Sequence, residues 1–169
     1  MLQGLARIRV SLGFVCAALA LYLARPTRWS LAVGLLVALA GEGLRFWASG
    51  HIDKGREITR SGPYRFVRHP LYLGSTIIGF GFIIAAQSVA VAVIALVYLG
   101  VTLVAAMRTE ESSLDARFAG EYSAYREGRA AAVERPFSVA RVLANREPRT
   151  VLGLLAGWGL LYWRLLMGQ

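Results

Sequence analysis

The sequence lacks most of the residues from which common catalytic centres are built. Its 169 residues contain one cysteine, Cys16, and two histidines, His51 and His69. A single cysteine excludes an intrachain disulfide framework and any site that needs two thiolates, and two histidines provide no histidine-rich metal site. The chain also contains no GxxxxGK[ST] loop and no GxSxG elbow, so P-loop and α/β-hydrolase active sites are excluded and no metal site is expected.

Charge is scarce as well: charged residues make up 17% of the chain, whereas 56% are hydrophobic and the mean hydropathy is +0.51. The apolar residues form continuous blocks, which a lipid bilayer can bury and a single globular core cannot. In a soluble chain the net charge of +9 would indicate nucleic acid binding. Here the basic residues flank apolar blocks, so we expect contact with lipid headgroups and no nucleic acid partner.

Five apolar blocks predict an all-α integral membrane protein, a single domain over residues 1–169 with about five spanning helices. Residues 70–107 carry no charge. As one helix they would extend about 57 Å, too long for a single crossing of a core of about 30 Å. We therefore predict a helical hairpin that turns at Gln87-Ser88. The first block lacks a well-placed signal-peptide cleavage site and is interpreted as a retained span. The predicted spans are residues 5–24, 29–49, 70–86, 89–107 and 151–166.

The distribution of basic residues predicts the orientation. With a cytosolic N-terminus, fifteen basic residues lie on the cytosolic side, chiefly in segments 50–69 and 108–150, and three lie outside: Arg25, Arg28 and Arg164. This asymmetry follows the positive-inside rule. The short chain and its single lysine favour a bacterial inner membrane, with the active site in the cytosol.

Two polar motifs lie at the cytosolic mouth of the predicted hairpin. Arg68 and His69 precede Pro70, which suits the first position of a helix, where the positive end of the helix dipole attracts anions. Glu110 and Glu111 follow the last apolar block. By residue type alone, the first pair could be an interfacial anchor and the second could cap the fold by pairing with arginine. Because the hairpin brings both motifs to the same end, we predict that they are neighbours and form a site.

The phase of the hairpin's second helix separates the two glutamates. If that helix continues past Met107, its apolar stripe consists of Leu114, Phe118, Tyr122 and Tyr125. At 100° per residue, Glu111 projects close to this stripe, whereas Glu110 lies about 75° from its centre. We therefore predict that Glu111 faces the site.

Two ionisable residues, Glu42 and Arg45, lie inside the second predicted span. Ionisable residues in a span are costly and are functional by default. Arg45 is close enough to the cytosolic end to point into the same pocket. The alternative is a structural ion pair that faces the helix bundle.

At these residues the sequence resembles the isoprenylcysteine carboxyl methyltransferase family, within a wider group of membrane methyltransferases that includes the phospholipid N-methyltransferases. The matching elements extend over about 67 residues, in the same order. They are Thr59-Arg60-Ser61-Gly62-Pro63-Tyr64, Arg68-His69-Pro70-x-Tyr72-x-Gly74, Glu110-Glu111, and Phe118 followed by Glu121-Tyr122-x-x-Tyr125.

The resemblance implies an S-adenosylmethionine-dependent methyltransferase that releases S-adenosylhomocysteine. It implies that the cofactor is enclosed between the cytosolic ends of the hairpin and the helix that follows, and that a lipophilic substrate enters from the bilayer. Carried over to this chain, it implies the cofactor-binding residues Tyr64, Arg68, His69, Pro70, Tyr72, Gly74, Glu110 and Glu111.

The methyl acceptor stays open at this point: an isoprenylcysteine-like carboxylate, a phospholipid amine or a thiol. A carboxylate or thiolate needs no general base, and Arg45 or Arg126 could hold an anionic acceptor in a bidentate clamp. An amine must lose a proton, for which Glu111 is the nearest candidate base.

Two other classes of function are alternatives to a methyltransferase. One is a membrane reductase of the steroid 5α-reductase type, which would use a nicotinamide cofactor. The other is a non-catalytic scaffold or transport subunit in which Glu42 and Arg45 line a path. The first would bind a dinucleotide, and the second would bind neither a dinucleotide nor S-adenosylhomocysteine.

Overall fold

The computed structural model describes residues 2–53, 57–118, 121–127, 129 and 134–168, and over these residues the chain is helical and contains no strand. A short 3₁₀ turn covers Gly62–Arg65. The helices are α1 (Leu2–Leu23), α2 (Arg28–Ser49), α3 (Pro70–Ala86), α4 (Val89–Arg117), α5 (Glu121–Arg126), α6 (Val139–Ala144) and α7 (Glu147–Met167).

The predicted all-α membrane fold is confirmed; the long helices overlap the predicted spans, whose bounds in the membrane stay a prediction. By length and composition α2, α4 and α7 could each cross a membrane, while α3 and the part of α1 from Ser11 to Leu23 are shorter apolar helices. The predicted hairpin turn is also confirmed. Gln87 ends α3 in the left-handed conformation, at φ 46°, and the Ser88 hydroxyl caps α4 by accepting from the Val91 N–H.

Helices α2 and α3 form the closest contact in the molecule, and two pairs of glycines allow it. Gly41 faces Gly74, and two turns away Gly34 faces Gly81. A Cβ built on Gly41 would lie 2.7 Å from the Gly74 carbonyl oxygen, and one on Gly81 would lie 2.6 Å from the Gly34 carbonyl oxygen. Side chains at these positions would therefore separate the two backbones, as expected for small residues at contacts between membrane helices.

The bundle has two ends, which we name after a residue at each. The Gln87 end contains the α1–α2 connection, the α3–α4 turn and the end of α7; there the Arg25 N–H donates to the Ala86 carbonyl at 2.8 Å. The His69 end contains residues 50–53 and 57–69, the last turns of α4, α5, α6 and the start of α7. The membrane sidedness of these ends stays a prediction.

Helix α4 continues past Met107 as predicted, but the prediction of one continuous helix through Tyr125 is wrong. α4 ends at Arg117, because Phe118 leaves the helical region with φ −126° and ψ 50°. A separate helix, α5, follows. The break turns the chain back so that the Tyr125 hydroxyl donates to the Tyr64 carbonyl at 2.9 Å. A glycine at position 120 weakens helix propensity at this point by about 1 kcal/mol.

We expect Gly41→Ala to lower the midpoint of thermal unfolding in detergent, because overpacking a contact costs about 1–3 kcal/mol. Gly43→Ala is the matched control: it lies on the same helix, and a Cβ there meets nothing within 4 Å. In the control, alanine replaces a helical glycine at an open position, so the midpoint of thermal unfolding of Gly43→Ala should be unchanged or higher. Equal midpoints for the two variants would contradict the close α2–α3 contact.

Candidate functional site

The centre of the site is a contact between the start of α3 and the last turns of α4. His69 directly precedes α3, which begins at the fully buried Pro70. The His69 Nε2 lies 3.0 Å from the Glu111 Oε1. A carboxylate can only accept, so Nε2 carries the proton and donates it to this bond. The two motifs are therefore neighbours, as the hairpin predicts, and the role of Glu111 in a site stays a prediction.

Glu111 lies beyond Arg108, outside the apolar part of α4. The hydrogen bond from His69 lowers the pKa of Glu111 below its usual range, and the charges of His69 and Arg68 act in the same direction, against the effect of burial. The carboxylate is therefore ionised at neutral pH, and it lies where a cation or a hydroxyl could reach it.

Two buried tyrosine hydroxyls lie near the glutamates. The Tyr64 hydroxyl makes no hydrogen bond of normal geometry with the described residues, and the Tyr122 hydroxyl interacts only with Glu111, outside normal hydrogen-bond geometry. Burial, reinforced by the Glu110 charge, raises the pKa of Tyr64, and burial together with the Glu111 charge raises the pKa of Tyr122 to about 12. Both are therefore protonated at neutral pH. A buried hydroxyl without a partner costs about 1–3 kcal/mol, which a bound ligand can offset.

An apolar cleft of about 500 Å³ opens beside His69, between α3 and α4. Arg68, His69 and Tyr72 line its polar mouth, and the Tyr72 ring lies 5.7 Å from the His69 ring. Its walls are mainly aliphatic and aromatic side chains, including Leu73, Phe80, Leu99 and Leu103. Val91 is the one residue of α4 that is buried, so the wall that α4 contributes lies at the surface of the bundle.

Arg45 projects from α2 into a polar contact between α2, α3 and α7. Its Nε donates to Glu147 at 2.7 Å. The other two nitrogens donate to the Leu71 carbonyl and the Ser75 hydroxyl on α3 and to the Thr150 hydroxyl on α7. Each guanidinium nitrogen thus has a protein partner, which favours the structural alternative over a clamp for the acceptor. Glu42 is a looser partner, at 3.9 Å.

The structure places the other predicted site residues in different surroundings. Gly74 faces α2, where a Cβ would lie 2.5 Å from the Arg45 Cγ, and is not part of the cleft wall. Glu110 is half-buried, and Arg126 is exposed on α5. Sequence reasoning missed Glu147, although a buried arginine in a span requires a carboxylate partner and Glu147 opens the last helix.

Comparison with known proteins agrees with this geometry. A family model described as phospholipid methyltransferase matches residues 8–121, which is more than half of the chain and includes His69 and Glu111. The chain belongs to the phospholipid methyltransferase family. The resemblance inferred from the motifs is thereby confirmed, and the chain is a membrane methyltransferase. No curated protein and no solved structure gives a significant match.

The phospholipid methyltransferase match ends before Arg126, α6 and α7, and so before Glu147. Within the match lie α2, with Arg45, and both helices of the hairpin. The contact between Arg45 and Glu147 therefore joins the family region to a helix beyond it.

Arg45→Met should destabilise the protein by roughly 3–5 kcal/mol, because it leaves the buried Glu147 without its partner. The double variant with Glu147→Leu should recover part of this loss, since it removes the unpaired charge. Arg65→Met, which breaks the exposed pair with Glu134, is the control and should cost less than about 1 kcal/mol. Thermal unfolding of all three variants tests the contact, and a double variant that is no more stable than Arg45→Met would argue against it.

Proposed function

We propose that the chain is an S-adenosylmethionine-dependent methyltransferase that methylates a lipophilic acceptor at the His69 end. One observation carries the proposal: an ionised Glu111 is bonded to His69, which lines an apolar cleft, and two buried tyrosine hydroxyls lie near the glutamates. Polar groups of this kind at an open cleft are typical of a ligand site.

The donors and acceptors present suit S-adenosylmethionine, which carries two positive centres, a carboxylate and ribose hydroxyls. Glu110 and Glu111 would bind its cationic or hydroxyl groups, and Arg68 would bind its carboxylate. The buried Tyr64 hydroxyl would gain a hydrogen-bond partner. When bound, the cofactor supplies a methyl group on a sulfonium, which is a good leaving group.

The cleft suits an acceptor dissolved in the bilayer. Its apolar walls would hold a hydrocarbon chain and leave the reacting headgroup beside Arg68 and His69. Holding the acceptor in line and excluding water would be the main contributions of the protein. Family membership favours a phospholipid amine over a prenylcysteine carboxylate or a thiol as the acceptor.

An amine acceptor must lose a proton on methylation. Glu111 is ionised and is bonded to His69, which lines the cleft, so we assign it the role of base, with His69 as its positioning partner. Arg126 is exposed on α5 and would be available to an anionic part of the headgroup.

Glu111→Gln should weaken S-adenosylhomocysteine binding or turnover by about one to two orders of magnitude, because a buried charged contact contributes a few kcal/mol. Glu110→Gln is the matched control on the adjacent residue, and its effect should be roughly tenfold smaller. Calorimetric titration with S-adenosylhomocysteine measures both variants.

His69→Ala should abolish S-adenosylhomocysteine binding and leave the protein folded. Unchanged binding would return His69 to the role of an interfacial anchor. Stabilisation of the wild-type protein by a nicotinamide dinucleotide, without a response to S-adenosylhomocysteine, would replace the proposal with the reductase.

The cleft can be tested separately from the cofactor contacts. Gly100 lines it, and a Cβ there meets nothing within 4 Å, so Gly100→Trp should obstruct the cleft without strain. We expect turnover of a phosphatidylethanolamine acceptor to fall at least tenfold while S-adenosylhomocysteine binding is unchanged. Gly159→Trp on α7, also at an open position, is the control and should retain turnover. Equal turnover in the two variants would contradict lateral entry.

A further inference from the structure

Three arginines converge on one pocket at the Gln87 end, across the bundle from His69. Arg25 comes from the α1–α2 connection, Arg28 from the start of α2 and Arg164 from the last turns of α7. They line a pocket of about 440 Å³ together with Pro26, Thr27 and Leu165. Two segments distant in sequence, residues 25–28 and the end of α7, thus bring three arginines to the same pocket.

Nothing in the described part of the chain neutralises these arginines. None of their side chains makes a hydrogen bond or an ion pair with a described residue, whereas Arg45, Arg65 and Arg135 each have a carboxylate partner. The sequence has no aspartate or glutamate in residues 1–41, 58–109 or 148–169. All the segments that form the Gln87 end lie in those ranges. The positive end of the α2 dipole adds to the charge at Arg28.

The pocket lies at the depth of lipid headgroups. The side chains of Tyr22, Trp29, Tyr162 and Trp163 are all exposed around the Gln87 end. Exposed tyrosine and tryptophan at the end of a membrane bundle mark the interface between hydrocarbon and water. The apolar Leu165 and Ala24 form the side of the pocket that faces the bundle.

We propose that this pocket binds the phosphate of an anionic phospholipid in the leaflet opposite the His69 end. Guanidinium groups bind phosphate oxygens with paired hydrogen bonds, and three of them can surround one headgroup. A lipid suits the pocket better than a free anion because its acyl chains would lie against the exposed apolar side chains below the aromatic residues. The site is separate from the methyl-transfer chemistry and does not depend on it.

The test compares two triple variants that remove the same charge from opposite ends. One replaces Arg25, Arg28 and Arg164 by glutamine. The control replaces Arg108, Arg117 and Arg149, which are exposed and belong to the other end. Each protein is equilibrated with a mixture of phosphatidylglycerol and phosphatidylcholine, and the retained lipids are counted by native mass spectrometry.

We expect wild type and control to retain phosphatidylglycerol preferentially. In the pocket variant the preference for phosphatidylglycerol should be at least tenfold lower, since each arginine near a membrane surface strengthens the binding of anionic lipid roughly fivefold. Equal preference in all three proteins would overturn the proposal. Thermal protection by inorganic phosphate that equals protection by phosphatidylglycerol would overturn the lipid assignment, because it would show a free-anion site.

Single variants keep the test decisive if the triple variant does not fold. Arg28→Gln and Arg164→Gln should each reduce the preference several-fold, and Arg164→Lys should retain most of it. Wild-type preference in both glutamine variants would overturn the proposal.

Discussion

The guanidinium of Arg45 holds α2, α3 and α7 together at the level where the candidate site begins. An arginine in an apolar bundle is strongly destabilising unless its charge is paired and its donors are satisfied. Glu147, Leu71, Ser75 and Thr150 meet that requirement. Leu71 and Ser75 belong to the first turns of α3, so the same bonds fix the helix that follows His69. Because Gly74 has no side chain, the Arg45 side chain has room to pass α3 at this position.

The opposite wall of the site is helix α4, which has few buried residues. Helix α4 buries Val91 alone among its residues, so lipid, more than protein, surrounds it. At the His69 end the bond between His69 and Glu111 joins it to α3. One side of the cleft is therefore fixed by buried charge and close backbone contact, whereas the other is a largely exposed helix that packs on α1 and α3. This asymmetry suits a cleft that must admit and release a bulky hydrophobic molecule.

Features set by local sequence could be predicted, and features set by distant contacts could not. The turn at Gln87 follows from the length of an uncharged stretch, and the meeting of His69 with Glu111 follows from the hairpin that this turn creates. The end of α4 at Arg117 comes with a contact between Tyr125 and Tyr64, 61 residues apart, which no periodicity reveals. The pairing of Arg45 with Glu147 joins residues 102 positions apart.

The glycines of the α2–α3 contact are visible in the sequence, but their role can be recognised only when it is known which helices pack together. Gly34 and Gly41 repeat after seven residues, as do Gly74 and Gly81. Each pair by itself is an ordinary occurrence in membrane helices. Only the antiparallel packing of α2 on α3 shows that the two pairs face each other. The same packing explains why Gly74 belongs to the helix contact, on the side of α3 away from the cleft.

Helix α3 is shorter than the hydrocarbon core is thick, and the site lies at its first residue. Its 17 residues rise about 26 Å, several ångströms less than a hydrocarbon core of about 30 Å. Such hydrophobic mismatch is relieved when the bilayer thins locally or when polar residues at the helix ends are drawn inward, at a fraction of a kcal/mol per ångström. His69 directly precedes this shortest of the long helices. Lipids with longer acyl chains thicken the bilayer and would therefore change the depth of His69 relative to the interface between hydrocarbon and water.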